Sequence, residues 1–255
     1  MASKQVTYRQ KSASSVMASG EANATIVAEA VTALLQPLAK KGQQVPDTGA
    51  LVHLLCAALD ASANKMVAAD AAHEAELGDD TAVRTARDNA HAALREELVE
   101  LREIVVGAYG SQAAAAIFQG AAPDDPVVLA RFAGEVADHF EKNKLPPPRL
   151  KGAKLDVAEV AASLREKRDV LEQHLKSVQR EVREAQKTLA ERNAAVTAHD
   201  ALFSGIATAL SGLLLIAGKP ELAARVKPSS RRPGETAEEA GESPETASPA
   251  SPPEK

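Results

Sequence analysis

Residues 157–217 carry one long heptad repeat, and it limits the folds open to this chain more than any other feature. Val157, Leu164, Leu171, Val178, Ala185, Arg192, His199, Ile206 and Leu213 step by seven. Ala161, Arg168, Leu175, Val182, Leu189, Val196, Phe203, Leu210 and Ala217 step by seven between them. The two sets alternate four and three apart, which places a narrow stripe on one side of a continuous helix. Arg168, Arg192 and His199 are its only polar members. With Asp156 as the cap, a helix to Ala217 would run roughly 90 Å at about 1.5 Å per residue. Such a stripe speaks to helix partners rather than to chemistry.

The remaining sequence agrees with helices. Aromatic residues make up 2% of the chain, so its 45% hydrophobic content is mostly Ala, Leu and Val. Ala and Leu are strong helix formers, and no window alternates apolar and polar residues between turn signals as a strand would. The expected fold is therefore all-α: an elongated antiparallel helical bundle with one very long heptad-patterned C-terminal helix. Three regions are expected. Residues 1–20, rich in Ser, Lys and Gln, read as a flexible N-terminal arm. Residues 21–227 form the bundle domain. Residues 228–255, rich in Pro, Glu and Ser, lack the apolar side chains needed to offset ordering entropy and read as a disordered tail.

Within the bundle, a first helix spans about 21–40 and Pro37 ends or kinks it. A second begins after Asp47-Thr48 and runs to about Leu77. Gly78-Asp79-Asp80-Thr81 is expected to be a turn, with Gly78 closing one helix and Asp80 capping the next, so that helices two and three form an antiparallel hairpin. Gly110-Ser111 breaks the third helix, and residues 113–118 continue it after a bend. A fourth runs to about Lys142, and three consecutive prolines from Pro146 hold the chain extended before the long helix. A short helix covers residues 221–226.

Charge and motif content exclude several classes. The net charge is −5 with no basic block, and stacking aromatics are scarce, which argues against nucleic acid as a partner. Cys56 is the only cysteine and lies in the run Leu51-Val-His-Leu-Leu-Cys-Ala-Ala-Leu59, where it reads as a small buried hydrophobe. The polar N-terminus does not read as a secretory signal, and a cytoplasmic location is expected. No P-loop, dinucleotide fingerprint, nucleophile elbow or zinc-protease helix is found, so an enzyme is not expected and no catalytic, cofactor-binding or metal site is assigned.

Two further patterns stand out. Asp70-Ala-Ala-His73 and Asp88-Asn-Ala-His91 flank the expected hairpin turn at similar distances, and Glu135 and His139 lie four apart on the fourth helix. Inward-facing carboxylates and histidines are how bundles hold metals. Asp in place of Glu weakens the match, and the plainer expectation is a solvated helix face. Arg168 and Arg192 would sit at a bundle end, snorkel or set register, and Glu172 and Lys176 form an exposed supporting pair.

Residues 201–218 carry no charge and are apolar nearly all round by Leu213, at the short limit of a membrane span. A long bundle with a sheltered apolar segment is similar in plan, though not in any motif, to the long α-helical pore-forming proteins. Three functional expectations follow. The first is a non-enzymatic protein that binds or organises protein partners, or itself, through helix faces. The second is a membrane-acting bundle that exposes residues 201–218. The third is a metal-carrying bundle centred on His73 and His91.

Overall fold

The structure, a computed structural model, describes residues 3–149, 152 and 154–242. The chain is all-α. Among the described residues six helices run in order: α1 (Lys4–Leu35), α2 (Thr48–Tyr109), α3 (Ser111–Phe118), α4 (Pro126–Lys142), α5 (Val157–Ile216) and α6 (Pro220–Val226). One 3-10 turn, Gln36–Leu38, follows α1 and contains Pro37. The helices assemble into two compact units. Unit 1 combines the chain up to Ala75 with the chain from Lys187 on; unit 2 is Glu76–Gln186.

In unit 1, α1 packs against the first part of α2 and the last part of α5. Its helical start is set by Ser3, whose hydroxyl accepts from Val6 N at 3.4 Å. The expected arm over residues 1–20 is thus helical from Lys4. Its polar composition hides an inward row, Val6, Arg9, Ala13, Val16 and Gly20, spaced three or four apart and buried. Ser3 meets Asp70, while Gly20 lies against Val52, Cys56 and Leu210. Successive levels therefore pair rising numbers on α1 and α5 with falling numbers on α2, so α1 and α5 run parallel and α2 antiparallel. Cys56 is buried in this core beside Leu59, Phe203, Ile206 and Leu210.

In unit 2, the later part of α2 and the early part of α5 run antiparallel, with α3 and α4 closing the core around Leu94, Leu98, Phe118, Phe140, Leu164 and Leu171. Asp125 caps α4 by accepting from Val127 N and Val128 N, both at 2.9 Å. Asp156 caps α5 in the same way, accepting from Ala158 N and Glu159 N. The bounds expected for the long helix hold to within a residue. Gly110 at φ 95° separates α2 from α3.

The structure corrects the expected hairpin at Gly78. Helix α2 is continuous through Gly78, and Asp80 caps nothing: its carboxylate pairs with Arg84 at 2.8 Å, one turn on in the same helix. Glycine and aspartate both permit a turn, but a single helical glycine costs only about 1 kcal/mol, which long flanking helices override.

The expected tail boundary at Pro228 is also displaced. Residues 228–242 fold back as a strap. Pro228 bridges Thr236, Ser229 Oγ donates to Glu242 at 2.6 Å, and Thr236 N donates to Ser12 Oγ at 3.3 Å. Ser12 also donates to Glu239. Polar hydrogen bonds hold this segment where apolar side chains are missing, which is why composition alone misplaced its start. Gly234, at φ +77°, sits so close to Arg9 and Asp200 that a Cβ would collide with both. Residues 243–255 lie outside the described residues.

The stripe on α5 also departs from a strict seven-residue register. Leu164 and Leu171 are buried in unit 2, and Phe203, Ile206 and Leu210 in unit 1. Near the C-terminus burial shifts from Leu213 to Leu214, and Ala207 joins the core. A straight helix of 3.6 residues per turn drifts about 20° per heptad, so the buried side rotates away from the strict pattern. Val182 and Leu189, midway along the stripe, remain 41% and 39% exposed.

Candidate functional site

Unit 1 contains a column of polar side chains around Arg192 and His199, the polar members of the stripe in this unit. At its middle, Asp70 is fully buried and accepts from Ser3 N at 2.7 Å, Ser3 Oγ at 3.0 Å and Arg192 Nε at 2.6 Å. Arg192 also donates to Ser3 Oγ at 3.1 Å. Burial raises the Asp70 pKa, but the Ser3 backbone donor, Arg192 and the Ser3 hydroxyl outweigh it and hold the carboxyl below its ordinary value. Arg192 therefore neither snorkels freely nor caps an end; it joins α5 to α2 and to the start of α1. Arg168, the other arginine of the stripe, lies 2.6 Å from Asp169 and 3.7 Å from Glu172 on its own helix.

To one side of this level His73 Nδ1 is 3.0 Å from Thr188 Oγ1, and to the other Ser62 Oγ is 3.3 Å from His199 Nδ1. His199 is fully buried, its Nε2 has no hydrogen-bond partner among the described residues, and its ring lies 6.0 Å from that of Phe203. Burial pushes the His199 pKa below its ordinary value; Asp200 opposes this and Arg9 adds to it. Arg9 and Asp200 form a two-pronged pair, Nε to Oδ1 at 2.7 Å and Nη2 to Oδ2 at 2.9 Å, beneath Gly234 of the strap. Ser62 is half-buried and His199 is fully buried beside it.

The structure does not bring the metal candidates together. Asp70, His73, Asp88 and His91 all lie along the single helix α2, with Asp70 and His73 in unit 1 and Asp88 and His91 in unit 2. The hairpin that would have faced them does not exist. Asp70 and His73 are buried rather than part of a solvated face. Asp88 pairs with its neighbour Arg87 at 2.6 Å, and Glu135 lies 3.5 Å from Arg131.

A different acidic group emerges in unit 2. Oxygens of Glu76 on α2 and of Glu181 and Glu184 on α5 lie within 4.8 Å of one another. Arg180 stands 3.3 Å from Glu181 and 4.0 Å from Glu184. Glu181 and Glu184 share a helix face by spacing, but only the register of α2 on α5 reveals Glu76, so no sequence signal could have joined the three. Carboxylates at a water-facing helix pair with an arginine alongside form an ordinary solvated cluster.

Two open grooves mark unit 2. One, about 610 Å³, runs between α4 and α5 past Gly134, Arg168 and Leu175. The other, about 500 Å³, has an apolar floor of Leu98, Phe118 and Phe132. At its rim Arg95 pairs with Asp124 at 3.0 Å and Arg102 donates to the Gly120 carbonyl at 2.9 Å. Both rim cations are thus engaged within the unit.

The surface that departs most from a soluble bundle is the end of unit 1 where α1 finishes, α2 starts and α5 finishes. Leu38 is 75% exposed, Leu54 69% and Leu215 58%, with Leu34, Leu51 and Ile216 also exposed. Helices α2 and α5 are each long and apolar enough to cross a membrane, yet only 28% and 33% of their most apolar windows are buried. A core helix of a soluble protein buries most of such a window. No protein-family model, curated protein or solved structure matches this chain.

Proposed function

We propose that this chain is a non-enzymatic binding protein, a helical scaffold that holds out an apolar surface for a partner. The reading is carried by the leucines at the end of unit 1, headed by Leu38 at 75% exposure. Scattered exposed leucines need no explanation, but six large aliphatic side chains left exposed on the ends of α1, α2 and α5 and on the 3-10 turn offer apolar surface for a partner. The polar column behind them supports this role. Arg9–Asp200 and Ser3–Asp70–Arg192 fix the three helices and the strap, so the end is presented by a pre-organised frame.

The test compares the full chain with a Leu38→Ser, Leu54→Ser, Leu215→Ser variant. Their hydrodynamic size by light scattering, their partition onto lipid vesicles and their co-fractionation in native extract are measured side by side. The reading expects at least one of the three to change while the helical signal stays the same. No change in any would overturn it.

A second reading, a membrane-acting bundle that releases residues 201–218, is favoured by the shallow burial of the apolar part of α5. Dye leakage from anionic liposomes, rising as the pH is lowered, supports it. Intact vesicles at every pH tested count against it.

A further inference from the structure

We propose that the face of α1 at Arg9 and Ser12, with Asp200 of α5 behind it, is a binding site for a Gly-Glu-Thr-x-x-Glu segment. Residues 234–239 of the same chain fill it here, and the same segment of a second copy can take their place. The site lies toward the other end of α1 from the exposed leucines and does not rest on them.

The structure shows what the site holds. Gly234 stands at φ +77° over Arg9 and Asp200, where a Cβ would collide with both. Glu235 is buried beside them, and its negative charge supports the Arg9 cation. Thr236 N donates to Ser12 Oγ at 3.3 Å, and Ser12 Oγ donates to Glu239. Thr236 Oγ1 and Glu239 are themselves joined at 3.3 Å. Each position is thus read by a separate demand: no side chain at 234, a carboxylate at 235, a backbone N–H at 236 and an acceptor at 239. The receiving side is fixed before the segment arrives. Arg9 is held by Asp200 through Nε and Nη2, and its Nη1 donates to the Gln5 carbonyl at 3.3 Å.

Two properties make the occupant exchangeable. The contact is polar on both sides. Arg9, Ser12 and Asp200 meet Gly234, Glu235, Thr236 and Glu239, so separation leaves groups that water can solvate. The strap also carries its own fold. Ser229 Oγ, Ser230 N, Ser230 Oγ and Arg231 N all donate to Glu242, and Ala237 N donates to the Lys227 carbonyl. A segment ordered by its own bonds loses little freedom when it docks again. Gly-Glu-Thr occurs once in the chain, so a second copy presents it only through its own strap. Two copies that swap straps reproduce every contact of the single chain and close as a symmetric pair.

The experiment titrates a fluorescein-labelled peptide of residues 228–242 into the natural full chain and into full-length Gly234→Ala and Glu239→Ala variants. Both substitutions lie in the strap, outside the helices, and circular dichroism checks that the helical signal is retained. Glu239→Ala keeps the test valid should the Gly234→Ala chain lose its helices. In the natural chain the resident strap competes at an effective concentration on the order of mM. The variants loosen that strap and should bind the peptide at least about tenfold more tightly than the natural chain. The same peptide carrying Gly234→Ala should bind none of the three. Light scattering should show a dimer of the natural chain that grows with concentration and is lost in Gly234→Ala. The Leu38→Ser, Leu54→Ser, Leu215→Ser variant should keep this dimer, which separates strap exchange from binding through the apolar end. Equal peptide affinity for the natural chain and both variants, binding of the Gly234→Ala peptide, or a natural chain that stays monomeric at every concentration would overturn the inference.

Discussion

Single residues decide how firmly unit 1 is held. Asp70 is fully buried and its compensation comes from Ser3 and Arg192. Arg192→Met is expected to cost about 3–5 kcal/mol in urea unfolding, because it leaves a buried carboxylate without its cation. Replacing Asp70 and Arg192 together with apolar residues of similar size should cost less than Arg192→Met alone. Equal or greater loss in the double variant would show that the pair contributes more than mutual neutralisation. His199 sets a pH dependence. Its folded pKa lies below the ordinary value of 6.5, so the unfolded chain takes up a proton before the folded chain does. Stability from this group is therefore full above about pH 6.5 and is lost as the pH falls below it. The His199→Leu variant should flatten unfolding free energy between neutral and mildly acidic pH relative to the natural chain. The Asp70 contribution disappears only at lower pH, since its depressed pKa starts from an ordinary value of 3.8. An unchanged slope in His199→Leu would remove the histidine from this account.

Among the elements, the continuity of α2 is the clearest departure from what its residues suggest, and it can be tested at one atom group. Gly78 lies inside the helix with nothing within 4 Å of where a Cβ would stand. Gly78→Ala should raise stability by about 0.5–1 kcal/mol, as at any exposed helix interior. A turn with Gly78 at positive φ would instead make the same substitution destabilising. Helix caps were legible in the residues: Asp125 and Asp156 start α4 and α5 where their side chains can reach the free amides. The burial of Cys56 was legible from its apolar neighbours. What escaped was whatever depends on distant partners. Arg9 looks like a solvated charge until Asp200, far along the chain, neutralises it under the strap. Ser12 looks like linker until Thr236 and Glu239 bond to it. Asp70 and His73 read as one turn of a metal motif, and only the three-helix register shows that Arg192 and Thr188 take them up instead.

Across the molecule, apolar surface is distributed unevenly. The end of α1, the start of α2 and the end of α5 carry uncovered leucines. Residues 201–218 hinted at this through their lack of charge, but α1 and α2 supply the rest of the end from sequence positions more than 140 residues away. No reading of α5 alone could have assembled it. The central claim, that this end is where the chain meets its partner, is tested most directly by hydrogen exchange on the full chain at low and high concentration, with lipid vesicles and in native extract. The account expects amides of residues 34–54 and 213–216 to exchange more slowly in at least one of these, and amides of unit 2 to be unchanged. Unaltered exchange at the end of unit 1, or slowing confined to unit 2, would contradict it.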